Sequence, residues 1–177
     1  MKNMKKTLLL ILVFSCTFTL TFFSLKPKEI PTVSSLPEIS KLRVLKAKRL
    51  LELYSGDKVI KTYTISLGRN PIGRKQQEGD AKTPEGNYYI THHNPQSSYH
   101  LSLGISYPNP QDLENAQKLG VSAGGNIMIH GQPNFAPFFS YFNRMIDWTQ
   151  GCIAVTNSDI EEIYAAVKDN TPIEILP

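Results

Sequence analysis

The strongest constraint in this sequence is a series of short segments in which apolar and polar residues alternate, each ended by turn residues. Residues 42–47 and 49–54 alternate in this way, Ser55-Gly56-Asp57 is a turn signal, and residues 58–67 alternate again. Alternation with a period of two is typical of half-buried strands, and a glycine-containing turn between two such runs is typical of a β-hairpin. The folded part of the chain is therefore predicted to begin with paired strands.

Later segments extend the strand pattern and add little helix. Further strand-like runs occur at residues 87–91, 99–107, 126–130 and 173–176. Helical periodicity is present at residues 112–119 and, more clearly, after Thr156, which resembles a capping-box residue paired with Asp159. We expect a fold that is mainly β with minor α, built as two packed sheets with one or two short helices.

The N-terminal segment has a different character. Residues 7–25 carry no charge, three lysines precede them and two lysines follow closely. This arrangement is typical of an export element, either a cleaved signal peptide or an N-terminal membrane anchor, and acylation of Cys16 is a third alternative. We expect residues 1–25 to be this leader, 26–40 to be a proline- and serine-containing linker, and 41–177 to be the folded domain.

The charge distribution excludes one broad class of function. The 177 residues have a net charge of +4, but residues 1–48 hold nine basic and two acidic side chains, so the remaining 129 residues have a net charge of −3. A nucleic-acid-binding domain would carry its positive charge on the folded part. We therefore expect no nucleic-acid partner, and a membrane contact only through the leader.

Cysteine usage directs attention to one residue. Cys152 is the only cysteine outside the leader, so the domain cannot form an internal disulfide, and an exported lone thiol is either buried and inert or reactive. Gly151-Cys152 precedes a short apolar run, and His130-Gly131 ends another. A histidine can accept the thiol proton, and backbone amides around a glycine can stabilise an oxyanion.

Two other interpretations of these residues remain open at this point. Cys152 next to Ile153 is also compatible with a small core residue. A zinc site is a weaker alternative, because no two of the candidate ligands have the usual short spacing. Those candidate ligands are His92, His93, His100, His130 and Cys152.

Four segments in order carry a family resemblance: the hairpin around residues 51–67, Gly79-Asp80-Ala81-Lys82-Thr83-Pro84-Glu85-Gly86, Ile129-His130-Gly131, and Thr149-Gln150-Gly151-Cys152-Ile153. Together they resemble the L,D-transpeptidase catalytic-domain family of bacterial cell-wall enzymes, and residues 102–109 and 147–157 look most like an envelope-protein branch of it. The resemblance implies a β-sandwich of two packed mixed sheets in the cell envelope.

The resemblance also implies a mechanism and a partner. Cys152 would attack the carbonyl of the L-centre of diaminopimelate in a peptidoglycan stem peptide, expel D-Ala and form a thioester, with His130 as the base. The backbone amides of Gly151 and Cys152 would stabilise the oxyanion, and Thr149 and Gly131 would position the site. No cofactor and no metal are implied.

Two positions depart from the family pattern. Gln150 stands where a histidine is common, and Ala154 stands where an arginine or asparagine is common. Gln150 cannot titrate, and Ala154 removes a polar anchor. The acceptor therefore stays open between the amine of another stem, water, and the lysine linkage of a wall-linked lipoprotein. An inactive wall-binding module is the alternative outside enzymes.

Overall fold

The computed structural model describes residues 36–135 and 146–177. The predicted leader and all of the predicted linker before residue 36 lie outside the described residues. The described chain contains eight strands and two helices, and neither helix is long and apolar enough to cross a membrane. The strands are β1 Lys41–Leu45, β2 Leu50–Ser55, β3 Lys58–Thr64, β4 Gly86–Asn94, β5 Ser102–Ile105, β6 Met128–His130, β7 Ile153–Ala154 and β8 Pro172–Leu176; the helices are α1 Pro110–Lys118 and α2 Asn157–Ala166.

The first three strands form the antiparallel arrangement that the sequence predicts. β1 pairs with β2, and β2 pairs with β3 through a turn at Gly56, whose φ of +58° suits glycine. The alternating residues explain this pairing, because Leu42, Val44, Leu51 and Leu53 are fully buried while the residues between them are only partly covered. The prediction of a mainly β fold with minor helix is confirmed.

The predicted division into two separate sheets is not confirmed. The strands form one mixed sheet in the order β3-β2-β1-β8-β4-β5-β6-β7. β4 is long enough to hydrogen-bond two partners, because Gly86–Tyr89 pair with β8 whereas Ile90–Asn94 pair with β5 after an irregular register. One shared strand therefore joins what the sequence suggested were two sheets.

The sheet also curls until its two edges meet. Ser66 lies two residues after β3 and forms an antiparallel bridge with Ala154 of β7, with N···O distances of 2.8 and 2.9 Å in the two directions. The enclosed side chains form a single apolar core. Fully buried members come from strands throughout the order: Leu42, Leu53, Ile90, Leu103, Ile129, Ile153 and Ile173.

Helix α2 covers one side of this core. It begins with the predicted capping box, in which the Thr156 hydroxyl accepts from the Asp159 amide and the Asp159 carboxylate accepts from the Thr156 amide. Ile160 and Ile163 are fully buried, as the spacing predicts, and the helix packs against β5. The chain leading into α2 is the segment that carries Cys152.

Candidate active site

The predicted nucleophile and base lie on neighbouring strands at one end of the sheet. β6 and β7 are parallel, with Ile129 opposite Ile153 and His130 opposite Ala154. Successive side chains of a strand point to opposite faces, so His130 and Cys152 project from one face while Ile129 and Ile153 point into the core. His130 and Cys152 also line the same cavity, of about 400 Å³.

A tight turn at residues 149–152 presents Cys152. The Thr149 hydroxyl accepts from the Gly151 amide at 3.0 Å and donates to the Cys152 carbonyl at 2.8 Å. Gly151 has a φ of +131°, and a Cβ atom there would lie 2.6 Å from the Lys82 carbonyl oxygen. Only glycine fits this conformation and this space, and the Thr149 hydroxyl fixes the turn from within.

One of the two predicted oxyanion donors, the Gly151 amide, already has a hydrogen-bond partner. The Gly151 amide donates to Thr149, so it would have to exchange that bond in order to bind an oxyanion. Gly131 contributes through its small size and its carbonyl, since a Cβ atom there would lie 2.7 Å from Asn157 Oδ1 and 3.0 Å from the His100 Cβ. The oxyanion role of the Gly151 and Cys152 amides stays a prediction.

The Cys152 side chain is half-buried and is a neutral thiol in this environment. Its Sγ donates to the Asn126 carbonyl at 3.5 Å. Burial raises the pKa of the Cys152 thiol above its usual value, and the Met128 backbone and the positive charge of Lys75 offset this only in part. The resting cysteine therefore needs a base before it can attack a carbonyl.

His130 is buried and is a neutral imidazole. Its Nδ1 lies 2.7 Å from the Gly131 carbonyl oxygen, which can only accept, so Nδ1 carries the proton and Nε2 keeps a lone pair. Burial lowers the pKa of His130 to about 4, and the hydrogen bond to Gly131 opposes this shift only weakly. The histidine is thus in the protonation state required of a general base.

Two aromatic rings enclose the imidazole, and the sequence did not single out either one. The Tyr99 ring centroid lies 4.5 Å from that of His130, and the Trp148 centroid lies 5.7 Å from it at 71°. Tyr99 and Trp148 both line the cavity that contains Cys152. Their positions in loops carry no periodic signal, so only the tertiary structure could identify them.

A second cavity, of about 360 Å³, opens on Cys152 from the other side. Asn126, Gln150 and Cys152 line both cavities, which places the thiol between them. The second cavity is lined by polar loops that include Lys75 and Glu78, whereas the first contains the aromatic rings. The thiol can therefore be approached from two chemically different sides.

The charges at the second cavity are partly compensated. The buried Lys75 ammonium donates to Asp80 Oδ1 at 2.8 Å and to the Gln77 carbonyl at 2.9 Å. Burial raises the pKa of Asp80, but its hydrogen bonds with Lys75 and with backbone amides outweigh burial and lower it below the usual value. Because Lys75 is paired with Asp80, Glu78 is the charged residue lining this cavity for which the described residues show no ion pair.

An ion pair that no sequence motif indicates lies directly before the turn at residues 149–152. Arg49 Nη2 donates to Asp147 Oδ2 at 2.7 Å, and Asp147 Oδ1 accepts from the Leu67 amide at 2.9 Å. The Leu67 carbonyl in turn accepts from the Thr149 amide at 3.1 Å. Arg49 and Asp147 are 98 residues apart, and no local pattern relates them.

The two positions that depart from the family pattern, Gln150 and Ala154, both lie in the candidate site. Gln150 is exposed between the two cavities, and Ala154 is buried beside His130. The other histidines are engaged elsewhere: His93 lies 2.7 Å from Asp169, His100 lies 2.6 Å from Glu161, and His92 contacts Thr91. Within residues 36–135 and 146–177, no group of three or more potential ligands could hold a metal ion.

Comparison with known proteins gives a consistent result at the level of sequence. The model of the YkuD family, described as the L,D-transpeptidase catalytic domain, matches residues 40–175. YafK of Escherichia coli strain K12, provisionally named as an L,D-transpeptidase, is 30% identical over 132 residues, which are 71% of this chain and 46% of YafK. The chain thus spans about half the length of this curated relative.

Solved structures agree on the fold. Pgp2, named as a helical cell shape determining protein of Campylobacter jejuni, has a TM-score of 0.61 and 24% identity, covering 84% of this chain and 51% of that one. An Enterococcus faecium L,D-transpeptidase has a TM-score of 0.52 and 15% identity, covering 78% of this chain and 50% of that one. These likenesses, at low identity, concern the fold alone.

Proposed function

The chain belongs to the L,D-transpeptidase catalytic-domain family, and on that premise we propose that it modifies peptidoglycan as a cysteine acyltransferase with Cys152 as nucleophile and His130 as base. One observation carries the proposal: the two side chains share a face of the paired strands β6 and β7 and line one cavity. The substrate is a peptidoglycan stem peptide, and the reaction takes place in the cell envelope.

The first half of the reaction transfers an acyl group to sulfur. His130 Nε2 takes the Cys152 proton as Sγ attacks the carbonyl carbon of the L-centre of diaminopimelate, which forms a C–S bond and an oxyanion. The oxyanion collapses and breaks the C–N bond. The imidazolium then gives its proton to the departing nitrogen, which releases D-Ala and leaves a thioester on Cys152.

The second half of the reaction releases the acyl group to an acceptor. His130 removes a proton from the incoming amine or water as it attacks the thioester, and the proton finally returns to the cysteine sulfur. Burial opposes charge on both the thiol and the imidazole, which supports proton transfer during attack rather than a preformed ion pair. His130 therefore carries a positive charge only between the two proton transfers.

The two cavities support an amine as the acceptor. The acyl donor would occupy the aromatic cavity beside His130, and the second molecule would reach the thioester through the cavity that contains Glu78. The Glu78 carboxylate there attracts a protonated amine, which gives one proton to solvent before its free lone pair attacks the thioester. The reaction would then be L,D-transpeptidation, while hydrolysis of a stem or release of a wall-linked lipoprotein would use the same thioester.

The two cysteines of the chain provide a matched test. The full chain is incubated with tetrapeptide stems and its mass is measured. Wild type and Cys16→Ala should gain the mass of the acyl group, and Cys152→Ala should gain none. Adduct formation by Cys152→Ala would refute the proposed nucleophile. Absence of an adduct from wild type, together with binding to isolated sacculi, would indicate an inactive wall-binding module.

The products identify the acceptor. Mass spectrometry of the released muropeptides should show dimers linked between two diaminopimelate residues if an amine accepts the acyl group. Tripeptides without dimers would show hydrolysis instead. Glu78→Gln should reduce dimer formation and leave the rate of adduct formation unchanged, because the substitution removes charge from the acceptor side alone. Equal loss of both steps would contradict this division of the two cavities.

A further inference from the structure

We propose that the Ser102 hydroxyl is a positioning group for His130, stabilising the imidazolium that exists between the two proton transfers. The inference rests on the proposed function, because it concerns the charge that His130 acquires during that reaction. It assigns a role to a residue on β5 that lies outside the four segments carrying the family resemblance.

The first observation is an unpaired hydroxyl in a buried place. Ser102 has no solvent exposure, and its Oγ has no hydrogen-bond partner. Among the described residues only one other buried side-chain nitrogen or oxygen lacks a partner, and that atom is Trp148 Nε1. A buried hydroxyl without a partner costs about 1–3 kcal/mol, so its presence in a central strand calls for a reason.

The second observation is the location of these two atoms. Ser102 lies directly opposite His130 in the antiparallel pairing of β5 with β6. Opposite residues share a face of the sheet, with Cβ atoms about 4.5–5.5 Å apart. Trp148 contacts the imidazole from another direction, with ring centroids 5.7 Å apart. Both unpaired polar atoms therefore belong to residues that lie beside the same histidine.

The positive charge that His130 acquires during the reaction needs a polar group to stabilise it. The Gly131 carbonyl already accepts from Nδ1, and Ala154, opposite His130 on β7, offers only a methyl group. Burial holds the pKa of His130 near 4, and no charged side chain of the described residues contributes to that value. The imidazolium thus forms in a buried place where no charged side chain of the described residues balances it.

Ser102 is the group that can meet this need. The indole Nε1 of Trp148 is only a donor and would present positive charge to an imidazolium. A serine hydroxyl can rotate, and an unpaired one can turn its oxygen toward the ring without breaking another bond. Ser102 then acts through His130 and does not touch the substrate. Its hydroxyl lacks a partner in the resting enzyme because its partner is the imidazolium, which forms only during the reaction.

The test uses Ser102→Ala with Ser106→Ala as the matched control, because Ser106 lies on the same segment and its hydroxyl accepts from the Tyr89 amide. Losing a hydrogen-bonding dipole toward a charge should slow adduct formation with a tetrapeptide stem about tenfold. Nuclear magnetic resonance of the imidazole should show His130 of Ser102→Ala protonating at lower pH than in wild type. The control should change neither value.

Three results would overturn the inference. They are an unchanged rate, an unchanged His130 titration, and a lower melting temperature for Ser102→Ala, since a hydroxyl without partners in the resting state should leave stability equal or higher when removed. The proposed function fails separately, through absence of any wild-type adduct on Cys152. The imidazole titration can be measured without substrate, so it decides the Ser102 inference in that case as well.

Discussion

The loop of residues 68–85 and the wall formed by β5, β6 and β7 both bury polar side chains, but they satisfy them differently. Lys75 belongs to the loop, and Lys46 reaches into it from the end of β1. Both are almost fully buried, and each ammonium pairs with a loop carboxylate and with at least one loop carbonyl. In the wall, His130 and Cys152 are neutral, and Ser102 has no hydrogen-bond partner. The buried ammonium groups at the loop are paired at rest, whereas the Ser102 hydroxyl of the wall is not.

This difference suits a structural role for the loop and the proposed chemical role for the wall. A completed buried ion pair resists change, which suits a loop that must hold the turn carrying Cys152. If the wall carries the proposed reaction, it must accommodate a charge that appears and disappears, so complete pairing at rest would stabilise the wrong state. The experiments below test whether the two regions follow these separate rules.

The largest effect on stability should come from the loop. Lys46 Nζ donates to Glu85 at 2.6 Å and to the Gly73 and Thr83 carbonyls at 2.9 and 3.0 Å. Lys46→Met would leave all three acceptors without that partner. Removing one member of a buried pair lowers the free energy of unfolding by about 3–5 kcal/mol, which chemical denaturation would measure.

The control for this experiment is Lys61→Met. Lys61 pairs with Glu162 at the surface, where its side chain is 42% exposed, so the loss should stay below about 1 kcal/mol. Equal losses in the two variants would contradict the view that the loop depends on complete buried pairing.

The next largest effect should come from the wall, as a dependence of stability on pH. Burial lowers the pKa of His130 to about 4 from an ordinary value of 6.5, so the unfolded chain binds this proton more readily than the folded chain between those values. The contribution of the neutral imidazole to the free energy of unfolding is fully present above pH 6.5. It is lost as the pH falls toward 4, and the loss amounts to about 3 kcal/mol.

His130→Gln isolates this contribution because it cannot titrate. The free energy of unfolding of wild type, measured between pH 7 and pH 4, should fall more steeply than that of the variant. Parallel curves would show that the imidazole is not held neutral by burial. At pH 7 the same variant should form the stem adduct about 10²–10⁴-fold more slowly, which separates its chemical role from its effect on stability.

A smaller effect is expected where the two regions touch. A Cβ atom on Gly151 would lie 2.6 Å from the Lys82 carbonyl of the loop, and its φ of +131° disfavours any side chain. Gly151→Ala should therefore lower the free energy of unfolding by about 2–3 kcal/mol. Gly56→Ala has a positive φ but open space around it, so only about 1–2 kcal/mol should be lost. A smaller loss for Gly151→Ala than for Gly56→Ala would exclude close packing of turn against loop.

Local pattern predicted the parts of this molecule that depend on neighbouring residues. The β1–β2–β3 meander and the capping box at Thr156 follow from alternation and from spacing, and both are present. The single sheet could not be predicted this way, because it depends on β8, the last strand, lying parallel to β1 and beside β4. The alternation within β1 and within β8 does not indicate which distant strand each one pairs with.

The site divides in the same manner. Cys152 and His130 could be selected from residue type and motif, and the parallel register of β6 and β7 explains why both project from one face and line one cavity. Tyr99, Trp148 and Ser102 could not be selected, because an aromatic ring in a loop and a serine in a strand have no chemistry until the fold places them beside His130. The sequence thus identifies the proposed nucleophile and base better than the residues that surround them.

The smallest effect concerns Asp147, the residue that connects the two regions. Its carboxylate accepts from Arg49 and from the Leu67 amide, just before the loop, while Trp148 and Thr149 follow it directly in the site. Asp147→Asn keeps the shape but removes the charge, and Arg49 is 35% exposed, so solvent should limit the loss of stability to about 1 kcal/mol.

Activity should reveal the connection more clearly than stability does. If Asp147 fixes the turn relative to the loop, Asp147→Asn should slow adduct formation several-fold, since small displacements of a nucleophile reduce its rate. Glu174→Gln is the control, because Glu174 forms a comparable half-exposed pair with Arg43 on β1 and β8. That variant should lose similar stability and no rate. Equal rates in both variants would mean that the Arg49–Asp147 pair does not position the turn, which the backbone hydrogen bonds of Thr149 to Leu67 and Arg69 would then hold without it.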